Sequence, residues 1–278
     1  HWMVHSFPTR RSSDLFVADY IVASFDYAVR LMELPQGVFG ISLATWMLPA
    51  LSGMAGRKQY DEFRSTLTEG LGYLAFVNAL AAVLLLVLAE PIVRLLFERG
   101  AFGAVATHRS ALALMCLAPG LVFFSSVNIL ARAFFALGDT KTPAKISILC
   151  LGVNLLLSLI LVIHFKQAGL GVANSLTSFL NMALLAMALR RNLSRLSYTP
   201  LLKLGAKLLL LAAVAGVTAW AGLGVWEKYV GNANLLSKIG EVFVPASLAC
   251  ICYLLGAYAL RLPQVMKFLE SLRARLNR

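Results

Sequence analysis

Three ionisable side chains stand close together just before a long apolar stretch. They are Asp26, Arg30 and Glu33, and on a helix their spacing places all three on one face. Arginine suits the recognition of phosphate or diphosphate, because its planar guanidinium can donate to two oxygens at once. Ionisable residues at the edge of a membrane span usually face a cavity, which favours a substrate site. A group of ion pairs that only anchors the helix end explains the spacing equally well.

The stretch after this stripe is one of seven that could cross a membrane. The chain is 59% hydrophobic and 14% charged, and each stretch contains no Asp, Glu, Lys or Arg. Each has about the 20 apolar residues that a helix needs to cross the hydrocarbon core. The sequence therefore predicts an all-α integral membrane protein with about seven transmembrane helices: Leu34–Gly56, Gly70–Ala89, Ser110–Ala131, Ile146–Ile163, Gln167–Leu189, Leu208–Trp226 and Val242–Leu260.

The basic residues between these stretches are distributed unevenly. Alternate loops and the C-terminal tail carry sixteen Lys and Arg residues, whereas the other loops carry six. The positive-inside rule places the richer set in the cytoplasm, so Leu34–Gly56 would run from outside to inside and the C-terminus would be cytoplasmic. In one outer loop we expect Glu98 and Arg99 to pair with each other.

The same pattern argues against several other classes of protein. The net charge of +12 follows from the membrane topology, and the sequence contains no basic surface domain for nucleic acid. The four cysteines and four histidines lack metal-ligand spacing, and no nucleophile–base set or glycine-rich phosphate loop is present. We therefore expect neither an enzyme nor a metal site.

The two ends of the chain differ from its middle. Residues 1–15 are polar and include HSFPTRRSSDL, which resembles translated adapter sequence, so we expect this part to be non-native and the chain to be a fragment. Residues 262–278 alternate apolar and basic positions, which predicts an amphipathic helix on the cytoplasmic face beside anionic membrane lipids.

Four segments carry a resemblance to a known family. They are RLMELPQGVFGISLATWMLPALSG from Arg30, IVRLLFERGAF at Ile92–Phe102, ARAFFALGDTKTPAKI at Ala131–Ile146 and AGLGVANSLTSFLNMALL at Ala168–Leu185. In this order and spacing the chain resembles the MurJ/MviN lipid II flippases from about Phe16 onward. The resemblance implies a fourteen-helix transporter with two lobes and a terminal helix pair, of which this chain would be the C-terminal half. Residues 16–200 would form the lobe and residues 201–261 the terminal pair.

The resemblance also implies functions for the polar stripe. It implies that Arg30 binds the diphosphate of lipid II in a central cavity of the bacterial inner membrane, and that Glu33 is the acidic position of the same motif. The family commonly has an acidic residue directly before this arginine, whereas this chain has Val29. Asp26, one turn earlier, could take its place, and the missing N-terminal lobe would complete the cavity.

The resemblance suggests an ion site as well. Some relatives bind sodium between helices seven, eleven and twelve, and the corresponding residues here would be Asn154, Ser158 and Thr177. Ser158 lacks the charge that a hard cation favours, so ordinary hydrogen bonding between helices is the stronger interpretation. We expect no cofactor, and coupling to Na+ or to the membrane potential stays open.

Two other functions fit the same residues. The chain could belong to an exporter of another undecaprenyl-linked glycan or of a drug, which an assay of lipid II translocation would separate. It could also be a membrane scaffold for cell-wall synthesis that transports nothing, in which case substitutions in the cavity would have no effect.

Overall fold

The computed structural model describes residues 19–193, 199–232 and 234–266, and these residues are almost entirely helical. The predicted non-native segment 1–15 and most of the predicted amphipathic tail 262–278, from residue 267 onward, lie outside the described residues. A short π-helical segment, Gln36–Ile41, joins the first two helices. The helices are α1 (Asp19–Pro35), α2 (Ser42–Gly56), α3 (Tyr60–Val87), α4 (Ala89–Phe97), α5 (Ala104–Leu117), α6 (Gly120–Ala136), α7 (Lys141–Asn192), α8 (Thr199–Tyr229) and α9 (Leu235–Ala259).

Within the described residues, five helical stretches are long and apolar enough to cross a membrane, and the bent pair α5–α6 brings the number to six. The longest stretch is α7, with 52 residues. A straight helix of that length would measure about 78 Å, against a hydrocarbon core of about 30 Å. It is broken at Lys166, which has a φ of 52°. The two halves of α7 therefore correspond to two of the predicted spans, and the prediction of an all-helical membrane bundle is confirmed.

The break in α7 lets its second half return alongside its first. Asn192, at the end of α7, lies beside Asp139, which precedes the start of the helix. Gly169 lies so close to the first half that a Cβ there would be 2.4 Å from the carbonyl oxygen of Leu161. The two halves thus form a tight helical hairpin, and only glycine fits at this contact.

The predicted span Ser110–Ala131 is not one straight helix, because it bends by 51° between α5 and α6. The bend lies at Pro119, which has no N–H to continue the helical ladder. The hydroxyl of Ser175, on the second half of α7, donates to the carbonyl oxygen of Cys116 at 2.8 Å and approaches that of Leu117 at 3.3 Å. These contacts satisfy carbonyl groups at the end of α5 that the bend leaves without helical partners.

The core has three apolar clusters. One joins α2, α3, α6 and the second half of α7, and another joins α1 to α3, α4, α5 and α6. The third joins α8 to α9 and packs both helices against α3. At that contact the buried Tyr253 donates a hydrogen bond to the carbonyl oxygen of Phe76 at 2.8 Å. The pair α8–α9 therefore has a core of its own, and α3 connects it to the remaining helices.

Large apolar side chains remain exposed on the outer faces of the bundle. They are numerous on the first half of α7, where Leu151, Leu155 and Leu159 point outward, and on α8 and α9. Such surfaces are unfavourable in water, but they suit a protein whose outer helices contact lipid.

Candidate functional site

The polar stripe lies on the exposed face of α1, where two of its members pair. The Nε of Arg30 donates to Oδ2 of Asp26 at 2.9 Å, and the two side chains are 67% and 55% exposed. Glu33 is exposed one turn further along the same face. This pairing uses one edge of the guanidinium and leaves the two terminal nitrogens of Arg30 available for a ligand.

The opposite face of α1 fixes this orientation. Ala28, Leu31 and Met32 are buried in the cluster with α5 and α6. Tyr27 packs between two aromatic rings near the end of α4, with centroid distances of 4.8 Å to Phe97 and 5.0 Å to Phe102. Since one side of α1 is held by these contacts, Arg30 must project from the other.

Arg30 has a carboxylate partner although the residue directly before it is apolar. Val29 is partly buried and cannot pair with Arg30. Asp26 supplies the carboxylate from one helical turn earlier, through an i,i+4 contact. The stripe therefore contains an arginine that is paired with a carboxylate.

A π-helical segment directly follows the stripe, where the sequence Pro35, Gly37 and Gly40 predicts that the helix could loosen into a hinge. Its buried Gly40 lies against α6, because a Cβ at that position would be 3.1 Å from Oγ of Ser125. At its end, the hydroxyl of Ser42 contacts the carbonyl oxygen of Gly37 at 3.3 Å. Such segments often mark functional sites in helices.

The three residues considered for sodium do not meet around one ion in the described contacts. The hydroxyl of Ser158 contacts Oδ1 of Asn154, on the same helix, at 3.4 Å. The hydroxyl of Thr177 donates to the carbonyl oxygen of Ala173 at 2.8 Å. Among the described residues, no group of three or more acidic, His or Cys side chains could hold a metal. This donor set matches a hard cation poorly, and the assignment of these residues to an ion stays a prediction.

An ionic network between α4 and α9 was missed by sequence reasoning. Arg94 of α4 pairs with Glu241 of α9 and, at 3.1 Å, with Glu90. Glu98 pairs with Lys238 at 3.2 Å. The pairs Arg94–Glu241 and Glu98–Lys238 each join residues more than 100 positions apart, so no local spacing indicates them.

The expected pairing of Glu98 with Arg99 is wrong. Arg99 donates instead to the carbonyl oxygen of Leu96 at 3.0 Å, because the chain turns away from α4 at this point. Thr107 donates to Glu98 at 2.9 Å. Burial by itself would raise the pKa of Glu98, but the hydrogen bonds from Thr107 and Lys238 and the charges of Lys238 and Arg94 outweigh it, so the pKa is lowered.

Comparisons with known proteins agree with the motifs and the fold. A family model described as lipid II flippase MurJ matches residues 14–239. A probable lipid II flippase MurJ of Vibrio cholerae is 36% identical over 176 residues, covering 62% of this chain and 34% of its own length. Proteins of the same name from Haemophilus influenzae and Synechocystis are 32% and 28% identical, covering 80% and 91% of this chain and 45% and 48% of their own lengths.

The fold resembles that of a solved structure as well. A lipid II flippase MurJ in an inward closed conformation superposes with a TM-score of 0.66 at 22% sequence identity. The match covers 86% of this chain and 48% of that one. The chain thus spans less than half the length of these relatives.

Proposed function

This chain belongs to the MurJ lipid II flippase family, and we propose that it forms part of a transporter that moves lipid II across the bacterial inner membrane by alternating access. The relatives are named as flippases, which supports transport rather than catalysis. In this proposal the chain supplies one wall of the substrate cavity, and a second lobe supplies the other. The C-terminus is cytoplasmic, as the distribution of basic residues favours.

The observation that carries the proposal is the geometry of Arg30. Its guanidinium projects from a face of α1 that no described helix covers, and Asp26 holds only one edge of it. The remaining N–H groups can bind two oxygens of a diphosphate in a planar, bidentate manner. Asp26 competes with the diphosphate for the guanidinium of Arg30, so the diphosphate exchanges with Asp26 and can leave again. Arg30 binds, Asp26 orients it, and Glu33 lines the cavity.

The lobe moves during the cycle, and the π-helical segment after the stripe is where it bends. This segment joins the binding face of α1 to α2, so a change between π and α geometry there would reorient Arg30 relative to the bundle. The polyprenyl tail stays in lipid beside α8 and α9, whose outer faces are apolar.

The energy source in this proposal is the membrane potential. The donor set of Asn154, Ser158 and Thr177 offers no carboxylate to Na+. A charged substrate and the charge of Arg30 both respond to the potential when the cavity moves. Depolarising vesicles with a K+ ionophore should therefore stop translocation, whereas replacing Na+ by choline should not.

A complementation experiment tests the role of Arg30. The chain would be expressed alone and also joined to the N-terminal half of the Vibrio cholerae relative, in a bacterium depleted of its own lipid II flippase. We expect the joined form to prevent lysis, Arg30→Ala to abolish rescue and Arg30→Lys to restore it in part. Arg57→Ala, which alters an exposed arginine at the end of α2, is the matched control and should rescue fully.

Translocation of labelled lipid II in the same cells separates this function from export of another lipid-linked glycan. Equal rescue by wild type and Arg30→Ala would contradict the assigned role of Arg30. Rescue without movement of labelled lipid II would contradict the substrate.

A further inference from the structure

A groove of about 580 Å³ opens between the first half of α3, the start of α8 and the segment that follows α9. It is separate from the polar stripe, and none of its lining residues is assigned to the diphosphate of lipid II. Its walls are mixed, with basic side chains at one part and apolar ones, including Leu201, Leu204 and Leu262, at another.

The groove sits at the depth of the lipid headgroups. Charged residues occupy the first turns of α3, whose charge-free part begins at Gly70, and the charge-free part of α8 begins at Leu208. The last turn of α9 ends at Ala259, a few residues before Gln264. All three elements therefore cross from polar to apolar sequence beside the groove, which is where a bilayer places its phosphates.

Three cationic side chains line this groove. Lys203 and Lys207 are one helical turn apart on α8, both are exposed, and neither forms an ion pair within the part of the chain that the structure describes. Arg64 of α3 pairs with the exposed Asp61, but its Nε is buried and has no hydrogen-bond partner. The groove thus has donors and positive charge that the protein itself does not use.

A buried amide adds a second, independent feature. Gln264 lines the groove, is 8% exposed and has an Oε1 atom without a hydrogen-bond partner. Its side chain lies directly over Gly72, where a Cβ would be 2.9 Å from Nε2. Space for this amide therefore depends on glycine, and its oxygen is an acceptor that lacks a donor.

Among the described residues, Glu69 is the one acidic side chain in the lining, and it has an interaction partner within the structure. Arg64, Lys203 and Lys207 outnumber it, so the described lining carries a net positive charge.

We propose that this groove binds an anionic glycerophospholipid of the phosphatidylglycerol type. The phosphate lies against Lys203, Lys207 and Nε of Arg64, and a headgroup hydroxyl donates to Oε1 of Gln264. The acyl chains follow the apolar wall toward the bilayer. The lipid thereby bridges α3 and α8, and holds the terminal pair α8–α9 against the rest of the bundle.

The test uses the purified chain in a zwitterionic detergent, with native mass spectrometry of bound dioctanoyl phosphatidylglycerol. The double substitution Lys203→Ala with Lys207→Ala should weaken binding at least about tenfold, since each basic residue near a lipid surface contributes about 1 kcal/mol and tenfold corresponds to 1.4 kcal/mol. The matched control is Lys141→Ala with Lys145→Ala, an exposed pair at the same spacing at the start of α7, which should leave the affinity within twofold.

Two further measurements identify the ligand. Gln264→Leu should weaken the binding of dioctanoyl phosphatidylglycerol. It should leave the binding of dioctanoyl phosphatidic acid nearly unchanged, because that lipid has no headgroup hydroxyl beyond the phosphate. Inorganic phosphate and glycerol phosphate should bind at least tenfold more weakly than the lipid, because they lack acyl chains. Unchanged lipid binding in the Lys203/Lys207 variant, or an equal loss in the Lys141/Lys145 control, would overturn the site. Binding of inorganic phosphate as tight as that of the lipid would overturn the lipid as its ligand.

Discussion

The guanidinium of Arg94 on α4 pairs with the carboxylate of Glu241 on α9, across 147 positions of the sequence. The side chain of Glu241 is 1% exposed and that of Arg94 is 16% exposed. The second carboxylate oxygen of Glu241 has no hydrogen-bond partner, so Arg94 compensates nearly all of the buried charge of Glu241. This contact joins the terminal helix pair to α4 at one end of the bundle, whereas Tyr253 joins it to α3 nearer the middle.

Removing Arg94 should destabilise the protein strongly. Arg94→Leu leaves Glu241 as a buried charge without a partner, and breaking a buried pair in this way costs about 3–5 kcal/mol. We expect a loss of this order in the free energy of unfolding, measured by titration with sodium dodecyl sulfate in mixed micelles. Arg99→Leu is the control, because Arg99 is exposed and contacts only a backbone carbonyl, and it should change stability by about 0.5 kcal/mol or less. Similar losses in both variants would refute a special role for the pair.

Glu98 should make stability depend on acid pH. Its pKa is lowered in the folded protein from an ordinary value of about 4.5. A group of this kind contributes stability that is present above the unfolded pKa and is lost as the pH falls through the folded value. The thermal midpoint of wild type should therefore fall below about pH 4.5 more steeply than that of Glu98→Gln, and the two curves should converge at low pH. If the thermal midpoints of the two proteins change in parallel from pH 3 to 7, Glu98 is not the source of the acid dependence.

The sequence was sufficient to predict the membrane spans but not all of the turns and bends that connect the helices. Charge-free runs specify which residues enter a bilayer, because each charge there is costly, and the helices follow from the need to pair every backbone group. The turn at Lys166 was also indicated, since the single charge lies between two apolar runs. The bend at Pro119 was not predicted, because proline occurs in many transmembrane helices and the supporting contact from Ser175 joins residues far apart in the sequence.

The stripe was also more predictable than the groove. Asp26 and Arg30 are four apart, and this local spacing is enough to predict their contact. Lys203, Arg64 and Gln264 belong to three elements whose proximity depends on how α8 and α9 pack against α3. Tertiary packing of this kind has no local sequence signal, and the same holds for Arg94 and Glu241.

The hairpin in α7 should depend on the absence of a side chain at Gly169. A methyl group there would meet the carbonyl oxygen of Leu161 at 2.4 Å, and backbone cannot move aside as a side chain can. Gly169→Ala should cost about 1–3 kcal/mol, as overpacking does, and should separate the two halves. Spin labels at Lys141 and Arg190 would report a longer distance. Gly152→Ala, in the first half of α7 where a Cβ meets nothing within 4 Å, should leave that distance unchanged.

Transport should depend on the close contact between the π-helical segment and α6. Gly40→Ala places a Cβ 3.1 Å from Oγ of Ser125, so one side must shift by a few tenths of an ångström whenever the segment packs in this geometry. A shift of about 1 kcal/mol in the conformational equilibrium would slow translocation about fivefold. Ser125→Gly removes the opposing atoms, and the double variant should recover most of the rate if the contact itself is responsible. Gly37→Ala, which adds a methyl group in open space one turn earlier, should have little effect on transport. If Gly37→Ala slows translocation as much as Gly40→Ala, or if Ser125→Gly gives no recovery, then the loss reflects the glycines of the π-helical segment rather than its packing on α6.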